Sequence, residues 1–293
     1  MLRVMPHVAA EGRFALKGGT AINFFVRNMP RLSVDIDLIW LPLEPRDVAL
    51  ANIGQALRHI AAGIRKTMPE VIVQESRPRN AEHASKLFVS TGEATIKIEP
   101  NLVLRGTVFP PEERELSAQA EALFELSASI KTAAFADLYG GKLCAALDRQ
   151  HPRDLFDIKV LMENEGITDE VRSAFVVYLA SHDRPMSELL EPNRKDFRQV
   201  YEHEFAGMTM EAVEYDELVA VRERLIETIK KTMTENEKKF LLSVKQGEPD
   251  WELLPVSGID QLPAIQWKLI NIRKMKEEKH TQSLEKLQEV LGL

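Results

Sequence analysis

Two carboxylates one residue apart, Asp35 and Asp37, follow a diglycine, Gly18-Gly19, after a short apolar segment and a polar turn carrying Arg31 and Ser33. On an extended strand alternate side chains share a face, so Asp35 and Asp37 point one way and Val34, Ile36 and Leu38 the other. Carboxylates so placed repel one another unless a cation lies between them. Magnesium, a hard ion held by one or two carboxylates together with substrate phosphates, suits such a pair. The glycines suit the phosphates. Without a Cβ they let backbone come close, and a helix starting there directs free N–H groups at an anion. Alone, a diglycine is a turn and D-x-D is a strand end. In the order glycines, helix, D-x-D strand, they point to phosphoryl-group chemistry.

Further along, Ala94-Thr95-Ile96-Lys97-Ile98-Glu99 alternates, with Ile96 and Ile98 facing a core and Lys97 and Glu99 sharing the other side. An acidic residue on a strand beside the D-x-D strand completes a three-carboxylate site for two metals roughly 3.5–4 Å apart. Glu99 is the first candidate, ahead of Glu93 and Glu75; the plainer reading is a solvent-facing Lys/Glu pair. Residues 137–149 have helical spacing yet contain Gly140 and Gly141, each costing about 1 kcal/mol against alanine. Close packing or a nearby ligand would offset that cost. Lys142 and Arg149 lie two turns apart on one face and could together hold a triphosphate. Pro152 opens the next helix, where Asp154 and Asp157 face the same side. They could orient Lys142, Arg149 or Arg153, contact base or ribose, or form salt bridges only. Cys144 reads as core.

The elements that must position these groups follow from periodicity. A short helical start leads to a helix over residues 20–28, a strand over 33–41 and a helix over 47–67. Extended pieces follow at 71–75, 86–90 and 94–104, the last two joined by a turn at Thr91-Gly92-Glu93. From residue 116 the pattern is helical: two helices within 131–163 broken at His151-Pro152, then 168–181, 209–235 and 261–290. The fold class is α+β. An N-terminal lobe, residues 1–115, has a mixed sheet flanked by helices, and a mostly helical lobe, residues 116–293, completes one cleft.

The chain has 293 residues, 44% hydrophobic and 28% charged, ordinary for a globular protein with a sizeable core. One cysteine excludes an internal disulfide framework and a cysteine zinc site. No apolar run spans a bilayer and no signal-peptide core is present, so the expected location is cytoplasmic. A net charge of −7 argues against coating nucleic acid by bulk charge, but not against a local basic patch. Lys230-Lys231, Lys238-Lys239, and Lys268, Arg273, Lys274, Lys276 and Lys279, with Trp251 and Trp267 nearby, are the candidates.

Phe14-Ala15-Leu16-Lys17-Gly18-Gly19-Thr20-Ala21-Ile22-Asn23, then Arg31-Leu32-Ser33-Val34-Asp35-Ile36-Asp37-Leu38, resemble the polymerase-β-type nucleotidyltransferase superfamily, and more closely its AbiEii/AbiGii toxin branch. The segment from Lys142 to Ile158 is similar to the same branch. The resemblance implies that Gly18, Gly19, Thr20, Ser33, Lys142, Arg149, Asp154 and Asp157 bind the nucleotide. It also implies that Asp35, Asp37 and Glu99 hold two Mg2+ ions, with Mn2+ as a substitute, and that Lys142 joins the catalytic groups. The implied activity is transfer of a nucleoside monophosphate from a nucleoside triphosphate to an acceptor, a tRNA 3′ end or a protein. The implied biology is a toxin of a bacterial toxin–antitoxin or phage-defence system with a DNA-binding antitoxin. Relatives often carry a longer helix ahead of the position of Phe14. Two rivals remain: a nucleotide-binding partner module without turnover, which the intact D-x-D disfavours, and a small-molecule nucleotidyltransferase of the aminoglycoside-modifying kind.

Overall fold

The computed structural model describes residues 1–77 and 83–293, and the fold is α+β. The chain divides into two compact units, Met1–Ala134 and Phe135–Leu293.

The N-terminal unit is built on one seven-stranded mixed sheet. After a short helix α1 (Met5–Ala9), β1 (Phe14–Lys17) runs straight into α2 (Gly18–Ala21), which continues as a wider π turn over Ile22–Val26. Then come β2 (Ile36–Trp40), α3 (Arg46–Thr67), β3 (Ile72–Ser76), β4 (Lys86–Ser90), β5 (Thr95–Asn101), β6 (Glu112–Glu115), α4 (Ala118–Phe124) and β7 (Ser129–Thr132). Their order across the sheet is β3-β4-β5-β2-β1-β7-β6. β2 lies parallel to β5, and β1 parallel to β7; the other neighbours are antiparallel. The central strands are short and apolar at alternate positions, with Leu16, Leu38, Leu87 and Ile98 fully buried. Trp40 closes this core. Phe14 meets it edge-on at 5.1 Å between ring centres, and Glu44 accepts its indole N–H at 3.1 Å, so the buried ring leaves no donor unpaired.

β6 and β7 join this sheet, so the expected lobe boundary near residue 115 falls inside it. β6 reads Glu-Glu-Arg-Glu and forms the edge of the sheet. Charges on a short edge strand block pairing with another chain, but they erase the alternation by which a strand is recognised. The strand expected over 33–41 begins later, at Ile36.

The C-terminal unit is helical throughout: α5 (Phe135–Arg149), α6 (Pro152–Glu163), α7 (Asp169–Ser181), α8 (Met186–Leu190), α9 (Arg198–Glu204), α10 (Tyr215–Thr232), α11 (Glu235–Gln246), α12 (Pro263–Arg273) and α13 (Glu277–Leu291). The expected helix over 209–235 is α10 alone. Thr234 starts α11 with a capping box, its hydroxyl accepting from the Glu237 N–H while the Glu237 carboxylate accepts from the Thr234 N–H. α5 and α7 pack most closely. A Cβ on Gly140 would lie 2.7 Å from the Phe175 backbone nitrogen, whereas one on Gly141 would meet nothing within 4 Å. Contact explains the first glycine and not the second. Tyr178 on α7 donates to Asp137 on α5 at 2.5 Å inside the same interface.

The two glycines therefore have opposite expected outcomes. Gly140→Ala forces α5 off α7 and costs about 1–3 kcal/mol by overpacking. Gly141→Ala stabilises the helix by up to about 1 kcal/mol. Urea unfolding of both variants checks the pair.

Candidate active site

β1 delivers the chain to Gly18, whose φ of +71° is one that residues with a Cβ rarely adopt. A Cβ there would stand 2.6 Å from Asp37 Oδ2, so the Asp37 carboxylate lies directly over the first turn of α2. A Cβ on Gly19 would stand 2.7 Å from Arg31 Nη2 and 3.2 Å from Ser33 Oγ. The diglycine is thus the floor on which the D-x-D segment and the preceding turn rest. Thr20 is the tie: its buried hydroxyl lies 2.9 Å from Ser33 Oγ and hydrogen-bonds the Asp35 carbonyl. That bond holds residue 35 in the turn rather than in the ladder, which is why β2 starts at Ile36. Thr20 and Ser33, expected at the nucleotide, are engaged in shaping this turn. Arg31, 3% exposed, also braces it through the Leu32 carbonyl at 2.8 Å.

Across the sheet Asp37 is level with Lys17 on β1 and with Glu99 on β5. Residues in register share a face, so Glu99 stands on the face of Asp37. It is held there by two lysines, Lys86 Nζ at 2.8 Å from Oε1 and Lys97 Nζ at 2.8 Å from Oε2. Partial burial alone would push the Glu99 carboxyl up, but these ammonium groups bring it below its ordinary value. Lys97 is held above its ordinary value, first by the bond to Glu99 and further by the fields of Asp35 and Asp37. A positive charge therefore already lies among the three carboxylates. Among the described residues no three acidic, histidine or cysteine side chains converge on one point as a metal cage. The donor set still fits a hard cation, because Asp35 and Asp37 offer only oxygen and magnesium commonly takes one or two carboxylates plus phosphate. Glu75 pairs with Arg65 at 3.8 Å instead. Lys86 is a member of this group that the motifs do not single out, although extending the hairpin register from Ser90–Thr95 places it near Glu99.

In the C-terminal unit α5 and α6 bring a second charged group together. Lys142 Nζ lies 2.8 Å from Asp154 Oδ1 and 3.0 Å from Asp157 Oδ2, with all three residues buried. Arg149 Nη2 reaches Asp154 Oδ2 at 2.8 Å while its side chain stays 60% exposed. His151 caps α6 by accepting the Arg153 N–H, and Pro152 fills the first turn. Burial pushes the Asp154 carboxyl up, but Lys142 and Arg149 outweigh it, and the net direction is down. Lys142, expected to face the nucleotide, is enclosed by carboxylates; Arg149 is the cation of this group open to a ligand. Cys144 is buried core, its thiol pushed up by burial.

A seven-stranded mixed sheet carries Asp37 over the glycine turn, and the comparisons give the family. The sequence profile described as "Nucleotidyl transferase AbiEii toxin, Type IV TA system" matches residues 1–271. The chain belongs to this AbiEii family of nucleotidyltransferase toxins from toxin–antitoxin systems. No curated protein matches it by sequence. Among solved structures it is similar in fold to MenT4, a nucleotidyltransferase toxin from Mycobacterium tuberculosis, with a TM-score of 0.58 and 14% identity, over 95% of this chain and 85% of that one.

The buried group gives a stability prediction. Lys142→Ala leaves two buried carboxylates without their shared ammonium and costs about 3–5 kcal/mol, whereas Arg149→Ala leaves the melting temperature nearly unchanged. The Asp154 contribution has a definite sign. Its folded-state value is depressed, so its stabilisation is complete above its ordinary value of 3.8 and is lost as the pH falls through the lower folded value. Asp154→Asn should remove that part of the acid dependence in a denaturation series below about pH 4.

Proposed function

We propose that this chain transfers a nucleoside monophosphate from a nucleoside triphosphate to an acceptor hydroxyl, with Asp35, Asp37 and Glu99 as its metal-facing carboxylates. The observation that supports this reading most is the closeness of Gly18 to Asp37. The opening of α2 lies beside the Asp37 carboxylate, an arrangement that would suit a phosphate and its cation together. In the reaction the acceptor oxygen attacks the α-phosphorus and the bond to the bridging β-phosphate oxygen breaks, releasing pyrophosphate.

The protein's part in such a reaction is positioning and charge. Gly18 and Gly19 supply a floor without side chains. Thr20, Ser33 and Arg31 fix the turn that aims Asp35. Asp35 and Asp37 would hold magnesium, which would supply charge neutralisation at the phosphates and ease formation of the attacking oxyanion. Glu99, which pairs with Lys86 and Lys97, would be the third carboxylate for that cation. Within the C-terminal unit Lys142 holds Asp154 and Asp157 in place, and Arg149 is the exposed cation of that group. The acceptor in this reading is an RNA 3′ end such as that of tRNA, the consequence is arrest of the host or of an infecting phage, and the partner gene encodes a DNA-binding antitoxin.

Purified protein, magnesium, each α-labelled nucleoside triphosphate in turn and total cellular RNA make the test, run beside the Asp35→Ala/Asp37→Ala double variant. Label should enter an RNA band with the wild type and fall by at least about 1,000-fold in the variant, given the weight of electrostatic terms in such reactions. Equal labelling by both proteins would remove the assignment of the aspartates.

A further inference from the structure

The basic residues of the C-terminal third separate into two kinds. Lys230, Lys231 and Lys238 each lie within 3.0 Å of a glutamate, Glu191, Glu227 and Glu235 respectively. These are neutralised helix surfaces. Around the end of α12 and the start of α13 the pattern is different. Lys274, Lys276 and Lys279 are exposed and, among the described residues, none has an acidic side chain within 4.0 Å. The opposing carboxylates nearby in sequence, Glu277 and Glu278, are themselves exposed in the first turn of α13.

Beneath them the positive charge continues. Lys268 is drawn inward to the carbonyls of His182 and Arg184, at 2.5 and 3.0 Å. Burial lowers its ammonium to about 8, and Lys245 adds to that against the opposing pull of Asp183. Lys245 is lowered in turn by burial and by Lys279. Like charges held this close work against the fold, and an anionic ligand would relieve them.

On the same helix an apolar stripe is left uncovered. Trp267 is 50% exposed and Ile270 40% exposed, and with Lys274 they follow one another at spacings of three and four along one face. The support is firm. Arg273 donates to the Gly247 carbonyl at 3.2 Å, tying α12 to the end of α11, and His280 on α13 pairs with the Lys245 carbonyl at 2.8 Å.

We propose that the Trp267–Ile270 face of α12, with Lys274 at its C-cap and Lys279 on α13, is a docking surface for single-stranded RNA, the tryptophan stacking on a base and the lysines neutralising phosphates. An open aromatic face beside cations without carboxylate partners is the arrangement by which proteins hold single strands without reading their sequence. The inference rests on the RNA-acceptor reading above.

The test is equilibrium binding of a labelled single-stranded RNA of about twelve nucleotides, within the usual site size, to the full chain at two salt concentrations, without nucleotide. Trp267→Ala should weaken binding by about 5- to 150-fold, the range expected when one base stack is removed. Lys274→Glu with Lys279→Glu should lower the slope of log affinity against log salt by about 1.4, or about 0.7 for each single-strand phosphate that is no longer neutralised. Unchanged melting temperatures establish that both variants fold. Wild-type affinity in both variants would overturn the proposal, as would poly-glutamate displacing the RNA at equal charge concentration, which would mark an acidic protein as the occupant. Binding is read without turnover, so the two readings fail separately. RNA bound at Trp267 without nucleotide transfer would sink the transferase assignment and support the surface. Transfer to RNA with normal binding by both variants would do the reverse.

Discussion

Two carboxylates level with one another on adjacent parallel strands repel, and the N-terminal unit is arranged around that repulsion. Asp37 and Glu99 are in register on β2 and β5, where like charges directly opposed destabilise a sheet. Lys86 and Lys97 offset the charge from one side, and the opening of α2 meets it from the other. Without that compensation the centre of the sheet would resist forming.

The C-terminal unit handles the same problem by burial. Lys142, Asp154 and Asp157 satisfy one another out of contact with water, and only Arg149 reaches out. A buried cluster of this kind fixes geometry more than it adds stability. It turns two helices that could slide against each other into a single framework with Arg149 at a set position. The half-buried acidic face of β2 and β5 and the enclosed cluster of α5 and α6 thus represent two electrostatic regimes, one open to solvent in part and one closed.

Much of the fold was legible because it depends on local periodicity. The hairpin of β4 and β5, the long helix α3 and the break at Pro152 each carry their signal within a few residues. The sharing of a face by Lys97 and Glu99 was legible for the same reason. What escaped was non-local. β6 and β7 are four residues each and gain their identity from pairing, not from pattern. The burial of Lys142 depends on which side of α6 turns toward α5, and a helical wheel of α5 alone cannot supply that. The late start of β2 depends on one hydroxyl, that of Thr20, reaching across to Asp35. Gly140 and Gly141 look alike in the sequence; only α7 distinguishes them.

The bare backbone at Gly18 has a consequence in genetics. Every missense change in a glycine codon installs a Cβ, and at Gly18 any Cβ meets the Asp37 carboxylate and an unfavourable φ together. The core of the sheet lies elsewhere, in residues such as Leu16, Leu38 and Ile98, so such a change disturbs the acidic face first. On the reading proposed for that face, this one codon would offer a host burdened by the toxin several single-base routes to a harmless protein that is still made. Selection that keeps the gene active must act on that codon continually.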